Sequence, residues 1–95
     1  MTLPAEIPVT HNPEAKRFEL VKDGCLAFLD YQVVAGKMLI LYVEVPGEIG
    51  GLGLGSRLVV AALEHARAEK MKVVPLCPFA ASVLRKHPEY RDRVF

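Results

Sequence analysis

From Lys16 to Val21 the chain alternates, with Phe18 and Leu20 apolar between more polar neighbours. A period of two predicts a strand with one buried face. Lys22-Asp23-Gly24-Cys25 follows. Asp-Gly between two such runs predicts a tight hairpin, because both central positions of that turn want positive φ. A second strand is expected from Cys25 to Val34, with Ala27, Leu29, Tyr31 and Val33 on one face and Leu26, Phe28, Asp30 and Gln32 on the other. Ala35-Gly36 makes the next turn. A third strand runs from Lys37 to Val45. Regular alternation gives it one wholly apolar face, Leu39, Leu41, Val43 and Val45. The other face, Met38, Ile40, Tyr42 and Glu44, becomes polar toward its end. Pro46-Gly47 stops it. The first half therefore reads as an antiparallel three-stranded meander.

The pattern then changes. Five of the seven glycines, Gly47, Gly50, Gly51, Gly53 and Gly55, fall within nine positions. A helix is expected from Ser56 to Lys70, with Leu58, Val59, Ala62, Leu63 and Ala66 at helical spacing. Glu64 with Arg67 and His65 with Glu69 fall on its exposed side. Lys72 to Leu76 is a short β-branched strand. A strand-helix-strand order predicts a right-handed crossover and parallel pairing with the third strand. Pro75 and Pro78 flank Leu76-Cys77 and remove ladder donors, so the last strand should part from its neighbour there. A second helix is expected from Phe79 to Lys86, ending before His87-Pro88, with Tyr90 and Val94 docking the tail. Residues 1–14, broken by Pro4, Pro8 and Pro13, read as an irregular lead-in to one domain at 15–95. The expected fold class is α/β: a mixed sheet made of the meander and a β-loop-α-β unit, closed by a C-terminal helix.

Ninety-five residues allow one domain, and 52% hydrophobic composition is rich enough to build its core. Twelve basic residues against eleven acidic leave a net charge of +1, which gives no reason to expect nucleic acid or an anionic membrane as partner. The N-terminus lacks the basic and apolar regions of a secretion signal, and no apolar run is long enough to span a bilayer. The expected location is cytoplasmic, with Cys25 and Cys77 reduced. No Cys/His grouping has metal-site spacing, so no metal is expected.

A strand that feeds a glycine-rich turn opening a helix suits phosphate. The backbone can approach closely, and the first helical N–H groups have no internal partner. Gly55-Ser56-Arg57 does not match the Gly-Lys-Ser/Thr ending of a P-loop, which argues against that reading. Nor does a dinucleotide fingerprint fit: Gly51-x-Gly53 is followed by Ser56 where the third glycine belongs. A loop that is only a flexible turn remains open on spacing alone.

The order meander, V-x-V-P, glycine loop, amphipathic helix, short strand and helix resembles the GCN5-related N-acetyltransferases, and within them a minimal branch of roughly a hundred residues. The residues that carry the likeness are Phe18-Glu19-Leu20, Glu44-Val45-Pro46, Gly51-x-Gly53-x-Gly55-Ser56, Val73-Val74-Pro75-x-Cys77-Pro78-Phe79 and His87-Pro88-Glu89-Tyr90. They span residues 11–95. Gly53 and Gly55 match the last fixed positions of the family's Q/R-x-x-G-x-G/A loop, and Gly50 stands where the family has glutamine or arginine.

The resemblance implies acetyl-CoA (coenzyme A) as cofactor, held by Gly50, Gly51, Leu52, Gly53, Leu54, Gly55 and Ser56, with the pantetheine arm against the backbone of Val43 and Val45. Arg57 is a candidate for the charge that Gly50 does not supply, and Arg85 or Lys86 for the 3′-phosphate. The implied activity is acetyl transfer to a primary amine, either a protein lysine or a small amine. Such a reaction needs a base for the amine proton and a donor for the departing thiolate. Cys77, at the end of the last strand, is the candidate for acid, base or acetyl carrier. Tyr42 stands where the minimal branch often has histidine, and Glu44, on the same strand face, could act through water.

For each of these a packing role stands beside the chemical one. A free cysteine packs as a small hydrophobe, the expected role of Cys25, and His87 would cap a helix end. His11 and His65 have no visible partner. Two further functions stay open: a non-catalytic acyl-CoA-binding module and a ligand-free interaction domain. The acceptor and the oligomeric state are not readable.

Overall fold

A computed structural model describes residues 7–93. Its order is β1 (Thr10–Asn12), β2 (Arg17–Lys22), β3 (Cys25–Val34), β4 (Lys37–Glu44), α1 (Leu54–Ala68), β5 (Lys72–Pro75) and α2 (Pro78–Lys86). Short 3-10 turns lie at Gly47–Ile49 and Pro88–Arg93. The sheet runs β1-β2-β3-β4-β5, antiparallel except for the parallel β4–β5 pair. The α/β class, the meander and the parallel crossover are as expected. The lead-in is not wholly irregular: Thr10–Asn12 adds a strand to the free edge of β2. Three residues are too few to show a period. Val94 lies outside the described residues.

The turns follow from their residues. Asp23 and Gly24 have φ of 51° and 77°, the double left-handed pair that matches hairpin twist. Ala35 and Gly36 repeat it at 52° and 76°, with alanine in a region where its Cβ is crowded.

The core is one cluster under α1 and α2. Cross-strand pairs show which face it uses. Phe18 with Leu29 and Leu20 with Ala27 turn toward the helices and are buried, as are Tyr31 with Ile40. The opposite face carries Arg17 with Asp30, Glu19 with Phe28, and Val21 with Leu26.

Here the regular alternation read for β4 fails. Asp30 pairs with Tyr42, but the next residue, Tyr31, pairs with Ile40, so Leu41 is an extra residue in β4. A bulge of this kind shifts the phase of the side chains beyond it. Met38, Ile40 and Val43 therefore share the helix-covered face, while Leu39, Tyr42 and Glu44 share the open one. The wholly apolar face Leu39–Leu41–Val43–Val45 does not exist.

Candidate active site

β4 and β5 pair from Lys37↔Lys72 to Ile40↔Pro75. The backbone N–H groups of Leu76 and Cys77 then both donate to the Ile40 carbonyl, at 3.0 and 3.2 Å. Past this point the chain turns into α2, with Pro78 as its first residue, where the missing N–H costs nothing. β4 continues through Leu41–Glu44 without β5 beside it. The parting comes where the prolines predict it, and the bulge at Leu41 sits at the same point.

Beyond β4, Gly47–Ile49 coils once and buries Ile49. The chain reaches α1 through Gly51 and Gly53, both at φ 75°. Gly53 is the residue before the helix, and no side chain caps the N–H groups that follow. They are thus left for a ligand or solvent, at the end where the helix dipole is positive. A cavity of about 280 Å³ opens here, lined by Val45, Gly50, Gly51, Gly53, Leu54, Gly55, Ser56 and Phe79. Seven of these are residues expected of the cofactor loop or its strand; Leu52, also expected there, is exposed and is not among the lining residues.

Phe79 enters the family likeness as the end of the C-P-F run, with no site role expected of it. A Cβ built on Gly55 would lie 2.8 Å from Phe79 Cζ and 3.5 Å from Val45 Cγ2. Gly55 therefore leaves room for the aromatic ring that α2 brings against the first turn of α1. The C-P-F run, which ends on Phe79, was the available signal. The other glycines keep the space above the loop clear: an added Cβ at Gly51 or Gly53 would meet nothing within 4 Å, although their φ disfavours one. The cradle fits a phosphate group bound by backbone N–H groups.

On the open face Tyr42 donates its hydroxyl to Glu44 Oε1 at 2.8 Å. Both side chains are exposed, Tyr42 at 49%. The bond to Glu44, with the carboxylate's charge beside it, raises the phenol above its ordinary pKa, with smaller contributions from desolvation and from Cys77. Cys77 itself is half-buried, immediately before α2, and packs against the core. Tyr42 also stands against Phe28, ring centroids 6.1 Å apart. Arg17 lies 4.0 Å over the Phe28 ring and holds Asp30 Oδ1 at 2.7 Å. Cys77 thus follows the parting of β4 and β5, while Tyr42 and Glu44 lie on the β4 residues beyond it.

Other candidates go elsewhere. The Arg57 guanidinium donates to the Ile7 carbonyl and lines a different cavity with Val9, Val60 and Ala61. Arg85 faces a cavity shared with Pro75, Pro88 and Arg91, which has no loop residue in its wall. Lys86 is exposed. The α2 end is closed by the His87 N–H bonding to the Leu84 carbonyl, and the His87 imidazole meets Glu89 at 3.3 Å instead of capping the helix. Both cysteines are free, and Cys25 packs against the core. Among the described residues no group of three metal-ligating side chains occurs, and no helix is long and apolar enough to cross a membrane.

His11 and His65 do have partners. Their ring centroids lie 4.4 Å apart, and His11 Nε2 is 2.6 Å from the Tyr31 hydroxyl. His65 leans inward instead of pairing with Glu69 on an exposed face, because β1 brings His11 across the helix.

The fold is shared with a known protein. A solution structure of a GCN5-like protein from Staphylococcus aureus, provisionally classed as an N-acetyltransferase, superposes with a TM-score of 0.74 at 29% identity. The alignment covers 94% of this chain and 88% of that one. The family model of the GCN5-related N-acetyltransferases matches residues 17–93, from β2 to the last 3-10 turn. The chain belongs to the GCN5-related N-acetyltransferase family.

Proposed function

We propose that the protein is an acetyl-CoA-dependent N-acetyltransferase that acetylates a primary amine. One observation supports this reading: the start of α1, without a side-chain cap, and its glycine-lined cavity lie beside the end of β4, which past its parting from β5 carries the bonded pair Tyr42 and Glu44, with Cys77 just after the parting. Gly50, Gly51, Gly53, Leu54, Gly55 and Ser56 would hold the pyrophosphate through backbone N–H groups, and Val43 and Val45 the pantetheine arm. Bound acetyl-CoA supplies the activated acetyl thioester.

The residues divide the proton work. A protonated amine cannot attack, so a base must take its proton. Tyr42 is excluded from that part, since Glu44 holds the phenol in its neutral form. Glu44, a solvent-exposed carboxylate on the uncovered face, receives the proton directly or through one water. Tyr42, bonded to it, is the donor toward the departing thiolate and recovers a proton from Glu44. Cys77 is a second donor at the parting and the one group there able to carry an acetyl itself. The uncovered sheet face leaves the acceptor side open to an amine on a small molecule or a protein lysine.

Calorimetry with CoA tests the binding half. Absence of heat and of any thermal shift at millimolar CoA would leave only an interaction domain. Thiol release from acetyl-CoA with a panel of amines tests the catalytic half. CoA binding without turnover on any amine would favour the non-catalytic module. Unchanged turnover in Cys77→Ala would remove Cys77 from the chemistry and leave the Glu44–Tyr42 relay.

A further inference from the structure

On the face of the sheet opposite to Glu44, four rings from four elements meet: His11 of β1, Phe18 of β2, Tyr31 of β3 and His65 of α1. His11 stacks on Phe18 at 4.3 Å with the planes only 6° apart, and meets Tyr31 and His65 as described. We propose that His11, Tyr31 and His65 form an acid-sensitive clamp that fastens β1 to α1 while both imidazoles are neutral and releases it when they take up protons.

Three observations support this. β1 has only three residues paired to β2, at the edge of the sheet, so its attachment rests heavily on side chains. Two imidazoles at 4.4 Å, partly removed from water, cannot both become charged without repulsion. The charged groups acting on His11 are His65 and Lys16, from the turn before β2, both cationic when protonated. Burial first, then these two neighbours, pushes the His11 imidazole below its ordinary value.

The segment that the clamp holds is not idle. Ile7, four residues before His11, is buried, and its carbonyl receives the Arg57 guanidinium at the first turn of α1. Val9 lines a cavity with Ser56 and Arg57. Release of β1 would therefore loosen the packing beside the glycine loop.

Amide hydrogen exchange on the intact chain, corrected for intrinsic rates, tests the clamp. Between about pH 7.5 and about pH 5 the opening of Thr10–Asn12 should rise several-fold while Leu58–Leu63 stays protected, because the released segment takes up protons more readily than the held one. His65→Gln and His11→Gln, which cannot take up a proton, should flatten the response. An equal rise in both variants, or none in the wild type, overturns the clamp. Should a variant fail to fold, the wild-type imidazole C–H signals decide. Coupled titrations with one midpoint below the ordinary histidine value support the clamp, and two independent titrations at that value overturn it.

Discussion

The Phe79 ring occupies the place that a side chain on Gly55 would need, with Cζ 2.8 Å from the Cβ position. Helix propensity alone would favour Gly55→Ala by about 1 kcal/mol, since glycine is the poorer residue inside a helix. The contact works against that gain, because a ring tip within 3 Å of the new Cβ must move; Phe79 is 42% exposed, so it moves toward solvent and not into packed side chains. Gly55→Ala should therefore stabilise by less than that in chemical denaturation. Phe79→Ala in the same chain should let the full gain appear. Additive effects of the two substitutions would show that the ring and the loop are not coupled.

Tyr42 and Glu44 give a spectroscopic prediction that needs no substrate. The phenol is raised because ionising it would place a second negative charge beside the carboxylate and break the bond to Glu44. Glu44→Gln removes that charge, so the Tyr42 titration, followed by phenolate absorbance against Tyr42→Phe, should move down toward about 10. In the acetyl-transfer assay Glu44→Gln should lower kcat by about 10²-fold or more, the range of a lost general base. Tyr42→Phe should keep the acid limb of the pH profile and lose rate across it.

Alkaline stability rests on another tyrosine. Tyr90 is buried at 5% exposure, donates to a Glu64 carboxylate oxygen and lies 4.6 Å under the Arg67 guanidinium. Desolvation, with Glu64 next, pushes its phenol up to about 12. The folded state thus holds its proton more tightly than the unfolded chain does. This contribution is complete below about 10, the unfolded value, and is lost as pH rises toward the folded value of about 12. Tyr90→Phe should cost about 1 kcal/mol near neutrality through the lost hydrogen bond. Its stability should also fall less between pH 10 and 12 than the wild type's, measured by denaturant midpoints.

Ala35 is held at φ 52° in the turn between β3 and β4. A left-handed alanine carries about 1–2 kcal/mol of strain that glycine does not, set against glycine's greater freedom in the unfolded chain. Ala35→Gly should raise the denaturation midpoint by a net amount of about 0.5–1 kcal/mol. A drop would mean that the turn tolerates the alanine without strain.

The parts of this structure that could be read beforehand are those set by neighbours in sequence. Asp23-Gly24 dictates its own turn, the apolar spacing from Leu58 to Ala66 dictates a helix, and the glycines ahead of Ser56 announce an open helix end. What could not be read depends on contacts across the fold. Nothing local in Thr10–Asn12 says that β2 offers it an edge. The imidazoles of His11 and His65 are 54 positions apart in the chain and meet only because β1 lies against α1. Phe79 reaches Gly55 only after β5 and α2 are placed. The bulge at Leu41 is invisible because its flanking residues fit a regular pleat equally well, and that choice reassigned Val43 from the face read for it to the opposite one.

That extra residue makes β4 unusually sensitive to its own length, in a way opposite to a loop. With Leu41 taken up by the bulge, Ile40 and Val43 look under the helices while Tyr42 and Glu44 look out. Remove Leu41 and ordinary alternation assigns every other side chain to the side it already occupies; only the kink beside the parting from β5 is lost. Keep Leu41 but flatten the strand, and Tyr42 and Glu44 rotate beneath α1, where a carboxylate has no water. A one-residue deletion is therefore the milder injury here, and a repair of the pleat at full length the graver one. The side chains at the end of β4 are aimed by an irregularity, so what this strand presents to solvent depends on the parity of its residues as well as on their identity.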